Sequence, residues 1–295
     1  MPSHQALFLL VITGILIPQF VKADISVIDD KGRNIKLDKP AVRIISLAPH
    51  ITETLFTAGA GNKIVGTIAH SDYPEAAKNI QRVGGYPTAD IEKIISLKPD
   101  LIISWPQGNN LKQVEKLKAF GISVFMSEPV LPQDIAKNIK TFGQLAGTSK
   151  IAEKAADEFM QHYNSLKSQY ANKEKVRVFY QLWNKPIMTI NGEHLISKVI
   201  NLCGGVNVFS NLPSLSPRVS IEAVIASKTD IILAGAKEEK RTTWTAEWNK
   251  WLPLAVENSQ NIIFTDPDLL NRAGPRILQG ADNLCRELDK IRTTK

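Results

Sequence analysis

Residues 89–104 read ADIEKIISLKPDLIIS and residues 219–234 read VSIEAVIASKTDIILA. At an offset of 130 positions Ile91/Ile221, Glu92/Glu222, Ile95/Ile225, Lys98/Lys228, Asp100/Asp230 and Ile102/Ile232 are identical. Each copy places a helix N-cap residue, Asp90 or Ser220, before a short apolar-periodic helix, then a polar turn and an aliphatic strand. Two copies of one helix-turn-strand predict two related α/β lobes. Both also carry a glutamate in the first turn of the helix. Helix-dipole complementarity, worth a few tenths of a kcal/mol, accounts for either glutamate alone. It does not explain two acidic points at equivalent places on two lobes.

The chain around the first copy alternates short apolar runs with helical stretches: RIISLA (43–48), TETLFTAGA (52–60), IVGT (64–67), LIISW (101–105), NLKQVEKLKAF (110–120), ISVFMS (122–127) and DIAKNIKTFGQLAG (134–147). Strands alternating with helices at this spacing give βα units around a mainly parallel sheet, with ligands at the carboxyl ends of the strands. Before them, Ile25, Val27, Ile35 and Leu37 alternate with polar residues on either side of Asp30-Lys31-Gly32, the pattern of a hairpin. From Ser149 as N-cap to Asn172 the pattern is one long helix, with Ile151, Ala155, Phe159, Tyr163, Leu166 and Tyr170 on its apolar face. At 1.5 Å per residue such a helix spans about 33 Å, the width of a small domain. A second βα series opens with VRVFYQLW (176–183). The expected organisation is therefore a first lobe over 24–148 with its leading hairpin, a connecting helix over 149–172 and a second lobe over 173–295, two Rossmann-like halves on a stiff connector.

Composition and the N-terminus restrict the function. The chain has 295 residues, 43% of them apolar, and 36 Lys+Arg against 29 Asp+Glu, a net charge of +7. No Lys/Arg block accompanies that charge, which argues against nucleic-acid binding. Ala6 to Ile17 is an apolar run followed by Pro18 and Val21-Lys22-Ala23. About 20 apolar residues are needed to span a bilayer, so this run fits a secretory h-region with cleavage after Ala23 and gives no membrane insertion. A signal peptide over 1–23 sends the chain to the periplasm or outside, where disulfides persist. Cys203 and Cys285 are the only cysteines and lack the close spacing of a redox or metal motif, so a structural disulfide is expected.

Chemistry-bearing groups collect where strands end. Ala48-Pro49-His50 follows the first strand, His70-Ser71-Asp72-Tyr73-Pro74 the second, Gly84-Gly85-Tyr86 precedes the repeat helix, and Trp105-Pro106-Gln107-Gly108 follows the third. In the second lobe the corresponding groups are Leu182-Trp183-Asn184 and Asp266-Pro267-Asp268. One loop aromatic usually packs on its own loop, but Tyr73, Tyr86, Trp105 and Trp183 together suit a cleft that stacks on a large flat ligand. The sequence has no serine nucleophile elbow, His-Glu-x-x-His, Walker loop or post-strand G-x-G-x-x-G, so no catalytic residue is assigned. His50, His70 and His194 are the only imidazoles near strand ends that can suggest a metal, and His194 after Gly192 reads as a solvated turn residue; no metal site is expected. An enzyme built on His50, His70 and Asp72 is the remote alternative. Trp244, Trp248 and Trp251 fall at i, i+4 and i+7, one helix face packed on the lobe core.

The strings IISLAPHITETLFTAGA, SDYP, IEKIISLKPDLIISW, KVINLCGGVNVF and RAGPRI resemble the periplasmic solute-binding proteins of bacterial ABC importers for iron-siderophores, haem and cobalamin, and within them the cobalamin binders. The match covers nearly the whole chain beyond the hairpin. It implies a monomeric, non-enzymatic carrier that takes cobalamin or a related corrinoid between its lobes and docks on ABC importer permease subunits. The resemblance implies that Pro49 and His50 touch the ligand, that Tyr73 lies against the corrin, that Tyr86 stands where the family has a tryptophan, that Trp105 is a cleft tryptophan and that Asp268 bonds the corrin amides. Glu92 and Glu222 match the two acidic knobs that dock on permease arginines, and Cys203 and Cys285 match the disulfide pair. The sequence departs at Ser216 and Leu269, where the family has tryptophans, and Trp183 is placed to compensate. Those losses leave haem, a ferric siderophore or another metal chelate as alternative cargo, with Tyr73 or Tyr86 able to ligate ferric iron.

Overall fold

A computed structural model describes residues 24–251 and 262–294; the expected signal peptide lies outside the described residues. Strands β1 (Ile25–Ile28) and β2 (Asn34–Leu37) pair antiparallel, Ile25 opposite Leu37 and Val27 opposite Ile35, as the alternation predicts. Their turn is organised by Asp29, whose carboxylate accepts the backbone N–H groups of Lys31 and Arg33 and pairs with the Arg33 guanidinium.

The two sheets have one topology. Strands β3 (Ile44–Ser46), β4 (Ile64–Thr67), β5 (Leu101–Ser104) and β6 (Ser123–Met126) form a parallel sheet of order β4-β3-β5-β6. Strands β7 (Val176–Gln181), β8 (Gly205–Asn207), β9 (Ile231–Gly235) and β10 (Ile262–Thr265) form another of order β10-β9-β7-β8. Both therefore run second, first, third, fourth strand across the sheet. The first lobe carries helices α1 (Pro49–Thr57), α2 (Ile91–Ser96), α3 (Leu111–Ala119) and α4 (Pro132–Ala146). The second carries α6 (Leu195–Leu202), α7 (Ile221–Ala226), α8 (Glu238–Trp248), α9 (Pro267–Leu270) and α10 (Ile277–Thr294).

The repeat found in the sequence is α2–β5 and α7–β9, and it is deeper than the six identities. Asp90 accepts the N–H of Lys93 and Ser220 that of Ala223, so both N-caps are made. Lys98 and Lys228 both adopt left-handed backbone, at φ 45° and 47°, to turn from helix into strand. Asp100 accepts the N–H groups of Val42 and Arg43, and the Arg43 guanidinium bonds the Leu97 carbonyl. Asp230 accepts the N–H of Arg177, whose guanidinium bonds the carbonyls of Lys228 and Ser227. Arg43 and Arg177, at the starts of the central strands, are thus further members of the duplicated unit.

Between the sheets runs α5 (Ser149–Tyr170), 22 residues long and packed on α4. The expected period is right but the phase differs at its start: Ala152 and Ala156 are buried with Phe159, Leu166 and Tyr170, whereas Ile151 is 56% exposed. Thr148, not Ser149, stands at the N-cap. Ile151 is displaced from the core because it covers Gly59, whose positive φ and lack of Cβ let the two chains approach closely. One continuous apolar cluster runs from Ile44, Phe125 and Phe142 through Ala152 and Phe159 to Val178, Leu233 and Leu284. The lobes share this core, which opposes wide hinge opening. The Cys203–Cys285 disulfide joins the end of α6 to α10 inside the second lobe, both sulfurs buried. No described helix is long and apolar enough to cross a membrane.

Candidate ligand-binding cleft

The loops after β5 and β6 face those before α6, before α7 and after α9 across a narrow cavity of about 80 Å³, lined by Trp105, Gln107 and Val130 from the first lobe and by His194, Leu215 and Ala273 from the second. Trp105 is held there by its own loop. Asn109 accepts the Trp105 N–H and the Ser104 hydroxyl and donates to the Leu47 carbonyl, tying the loop to the end of β3. The indole packs against Gly108, where a Cβ would come within 1.9 Å of the ring, so a side chain there would displace this tryptophan. The Trp105 ring meets His50 edge-on at 5.5 Å and Tyr86 at 6.5 Å with a 36° tilt. Two loops of the first lobe thus form one aromatic wall, backed by His50 from α1, of which Tyr86 is the exposed end. Pro49, half-buried, starts α1 beside it.

Several expected residues are placed differently from their sequence reading. His50 sits in the first turn of α1, 4% exposed, with Nε2 buried and unpartnered, so it supports Trp105 from behind and does not form the cleft surface. Burial, then the nearby Arg272 charge, lowers its pKa to about 4, and the imidazole is neutral. His194 is not a solvated turn residue: it caps α6, its Nδ1 accepting the N–H of Ile196, and burial brings its pKa to about 4. His70 is exposed, in left-handed backbone. Among the described residues no group of three His, Cys, Asp or Glu is arranged to hold a metal ion. Trp244 and Trp248 are buried, the latter donating to Gln181, but Trp251 lies past the end of α8 and is 41% exposed.

The second lobe supplies a different chemistry. Trp183 is half exposed, donates its indole N–H to the Lys185 carbonyl and has the Lys240 ammonium 5.5 Å from its ring. Asp268, in α9, bonds the Arg272 guanidinium at 2.9 Å and lies 3.8 Å from Lys237. Arg272 reaches across to the first lobe, bonding Glu53 at 3.0 Å and Asp72 at 2.9 Å. Arg276 takes both oxygens of Glu53, at 2.7 and 2.9 Å, and stacks its guanidinium 3.9 Å from the centre of the Tyr73 ring. Burial opposes ionisation of Asp72, but the hydrogen bond and charge of Arg272 outweigh it and hold the carboxyl below its usual range. Asp72 is therefore committed to an ion pair, which removes it from the His50, His70 and Asp72 set. The loop carrying the arginines is fixed by Asn271, which accepts the hydroxyl of fully buried Tyr180 at 2.5 Å. Sequence reasoning passed over Glu53, Asn109, Arg272 and Arg276. The unusual Thr-Glu-Thr inside an otherwise apolar α1 was the available signal for Glu53.

Glu92 and Glu222 are both exposed, one in the first turn of each repeat helix, within the same alternation of buried and exposed residues. The Ser220 hydroxyl donates to Glu222 and holds its carboxyl below the usual value. Neither glutamate has an ion-pair partner among the described residues.

The model of the periplasmic binding protein family matches residues 44–247. The chain belongs to this family. Its members are solute carriers and not enzymes. The chain is 38% identical over 255 residues to the vitamin B12-binding protein of Vibrio parahaemolyticus, covering 86% of this chain and 92% of that one. It is 40% identical over 253 residues to the vitamin B12-binding protein of Vibrio cholerae serotype O1, covering 84% and 90%. Among solved structures, the periplasmic vitamin B12 binding protein BtuF of Vibrio cholerae superposes with a TM-score of 0.80 at 38% identity, covering 87% of this chain and 99% of that one. The periplasmic heme-binding protein RhuT from Roseiflexus, at 21% identity and a TM-score of 0.76, shares the fold.

Proposed function

We propose that this family member captures cobalamin or a related corrinoid between its lobes in the periplasm and delivers it to the permease of an ABC importer. The observation that carries the reading is the ring pair of Tyr86 and Trp105 at the first-lobe edge of the cleft; in this reading Trp183 and Asp268 meet the ligand from the second lobe. A corrin has a broad apolar plane and a rim of amides, so the rings bury the plane while a carboxylate and backbone groups orient the rim. Tyr73, braced by Arg276, extends the apolar surface at the same mouth. The names of the Vibrio relatives support corrinoid as the cargo. Residues 1–23 act as a cleaved export signal in this reading, residues 24–148 and 173–295 as the two lobes and 149–172 as their connector. Pro49 and His50 back the aromatic wall, Glu92 and Glu222 meet the permease, and the carrier works as a monomer with no bound cofactor of its own.

Calorimetric and absorption titration with cyanocobalamin and, separately, haemin tests this. Stoichiometric uptake of cyanocobalamin without turnover is expected, with Trp105→Ala weakening it by at least ~1 kcal/mol, about fivefold or more. Uptake of haemin alone, with a shifted Soret band, overturns the corrinoid assignment. A Trp105→Ala protein that binds as tightly as the parent places the ligand elsewhere.

A further inference from the structure

The ion-pair cluster joining the lobes is built around a buried carboxylate. Glu53 is 2% exposed, in the middle of α1, and its side chain has three hydrogen bonds, all from arginines more than 200 residues away in sequence. Water has little access to a carboxylate so placed, so Arg272 and Arg276 supply the hydrogen bonds that solvent would otherwise make. Each arginine has a second partner at the cleft. Arg272 holds Asp268 at 2.9 Å, and Arg276 lies under Tyr73. The cluster is balanced, with Glu53, Asp72 and Asp268 facing Arg272, Arg276 and Lys237. Ala273 and Gly274 carry the loop between the arginines against α1, where a Cβ on Gly274 would already touch Glu53 and His50 at 3.4 Å.

We infer that Glu53 is the positioning residue of the cleft: through Arg272 and Arg276 it clasps the two lobes at one mouth and fixes Asp268 and Tyr73 for the ligand. It touches no ligand itself. Its two-oxygen grip on Arg276, a planar bidentate pair, sets direction as well as distance, which an isolated surface pair does not. Loss of the carboxylate takes the bidentate partner from Arg276 and leaves Arg272 held only by the more exposed Asp72 and Asp268, so the bracing of Tyr73 and Asp268 weakens together and the lobes lose their only buried ion-pair tie among the described residues. The clasp also couples the cleft to the exterior: the spacing of α2 and α7, and with it of Glu92 and Glu222, is set by the same inter-lobe geometry.

The effect on affinity rests on the carrier reading above, and the effect on lobe spacing does not, so the test has two arms. In the first, Glu92→Cys and Glu222→Cys are spin-labelled and the inter-lobe distance distribution is measured without ligand by pulsed electron resonance. A narrow distribution is expected for the parent and a visibly broader or longer one after Glu53→Gln; an unchanged distribution in a folded Glu53→Gln protein overturns the clasp. Arg276→Lys, which keeps the charge and loses the bidentate bond, is expected to broaden it likewise and stands in if Glu53→Gln does not fold. In the second arm, cyanocobalamin affinity is measured in a double-mutant cycle. Glu53→Gln and Asp268→Ala are each expected to weaken binding by ~10-fold, and the pair by much less than the ~100-fold product, because the second substitution removes a group already less firmly braced. Strictly multiplicative losses overturn positioning through Asp268. If the parent protein takes up no corrinoid, the carrier reading fails while the distance measurement still decides the clasp.

Discussion

In the first lobe the loops at the strand ends present rings, Tyr73, Tyr86 and Trp105, stiffened by glycine and asparagine. In the second lobe the same positions present one half-exposed tryptophan and a chain of charges, Lys237, Asp268, Arg272 and Arg276. The frames beneath are the same: the sheet order, the capped helices α2 and α7, the left-handed Lys98 and Lys228 and the Arg43–Asp100 and Arg177–Asp230 locks. The similarity lies in what sets strand positions, and the difference in the side chains presented at the strand ends. In the proposed carrier an apolar face and an orienting rim are separable tasks, and two lobes would allow each to be met without compromising the other.

The disulfide is the largest departure from equivalence, since the first lobe has no cysteine. A bridge closing a loop of 82 residues stabilises by about 4 kcal/mol in the chain-entropy model. Cys203→Ala with Cys285→Ala is expected to lower the unfolding free energy by that order in denaturant titration. Hydrogen exchange should rise first in α6 and α10 and leave β3–β6 protected. Equal loosening of both sheets would show that the shared core through α5, and not the bridge, governs the second lobe.

Each lobe also buries one neutral histidine, and here equivalence is expected. His50 and His194 have folded pKa values of about 4 against 6.5 for the free side chain. The unfolded chain therefore binds more protons between pH 6.5 and 4. Stability contributed by neutrality is complete above pH 6.5 and is lost as pH falls toward 4, by up to about 3 kcal/mol per histidine at 1.36 kcal/mol per unit. His194→Asn keeps an N-cap oxygen and removes the titration, so it should flatten the pH dependence of stability in that window, and His50→Gln should flatten it similarly. An unaltered slope in the double variant would place the acid sensitivity in other groups.

The duplicated locks give a smaller and more symmetrical effect. Asp100→Ala and Asp230→Ala each remove the carboxylate acceptor from exposed backbone N–H at the start of a central strand, a loss of about 0.5–1.5 kcal/mol. The two values should agree within about 0.5 kcal/mol if the locks are equivalent units. A markedly larger loss for Asp230 would mean that the disulfide-tied lobe transmits the defect farther.

How much of this was legible in the sequence follows from the range of each interaction. The hairpin, the repeat, its N-caps and the connector were readable because alternation, capping and helical period act over a few residues. The start of α5 was misjudged at Ile151 because a tertiary neighbour, Gly59, decides which residue is covered. The wall of Tyr86 and Trp105 was visible as aromatics at strand ends, but His50 behind it was not, since burial depends on how α1 packs. Glu53 escaped notice for the same reason in stronger form. Its partners are 219 and 223 residues away, and nothing local distinguishes a buried carboxylate from one on a helix surface.

Glu92 and Glu222 provide the finest comparison, because they are the one pair of functional candidates that the duplication placed identically. Both are exposed, and their cost to the fold on replacement should be within the ~0.5 kcal/mol of ordinary surface positions. Glu92→Arg and Glu222→Arg are each expected to leave ligand affinity and stability nearly unchanged, and together, if the proposed docking role holds, to abolish cobalamin-dependent growth or vesicle uptake, since acidic contact points then become basic. The single variants sharpen the point. Docking that reads both lobes at once should fail nearly as completely with one reversal as with two, whereas docking on one lobe would make a single position decisive and the other silent. A large loss of ligand affinity in either single variant would remove the glutamate from the docking surface and return it to the fold.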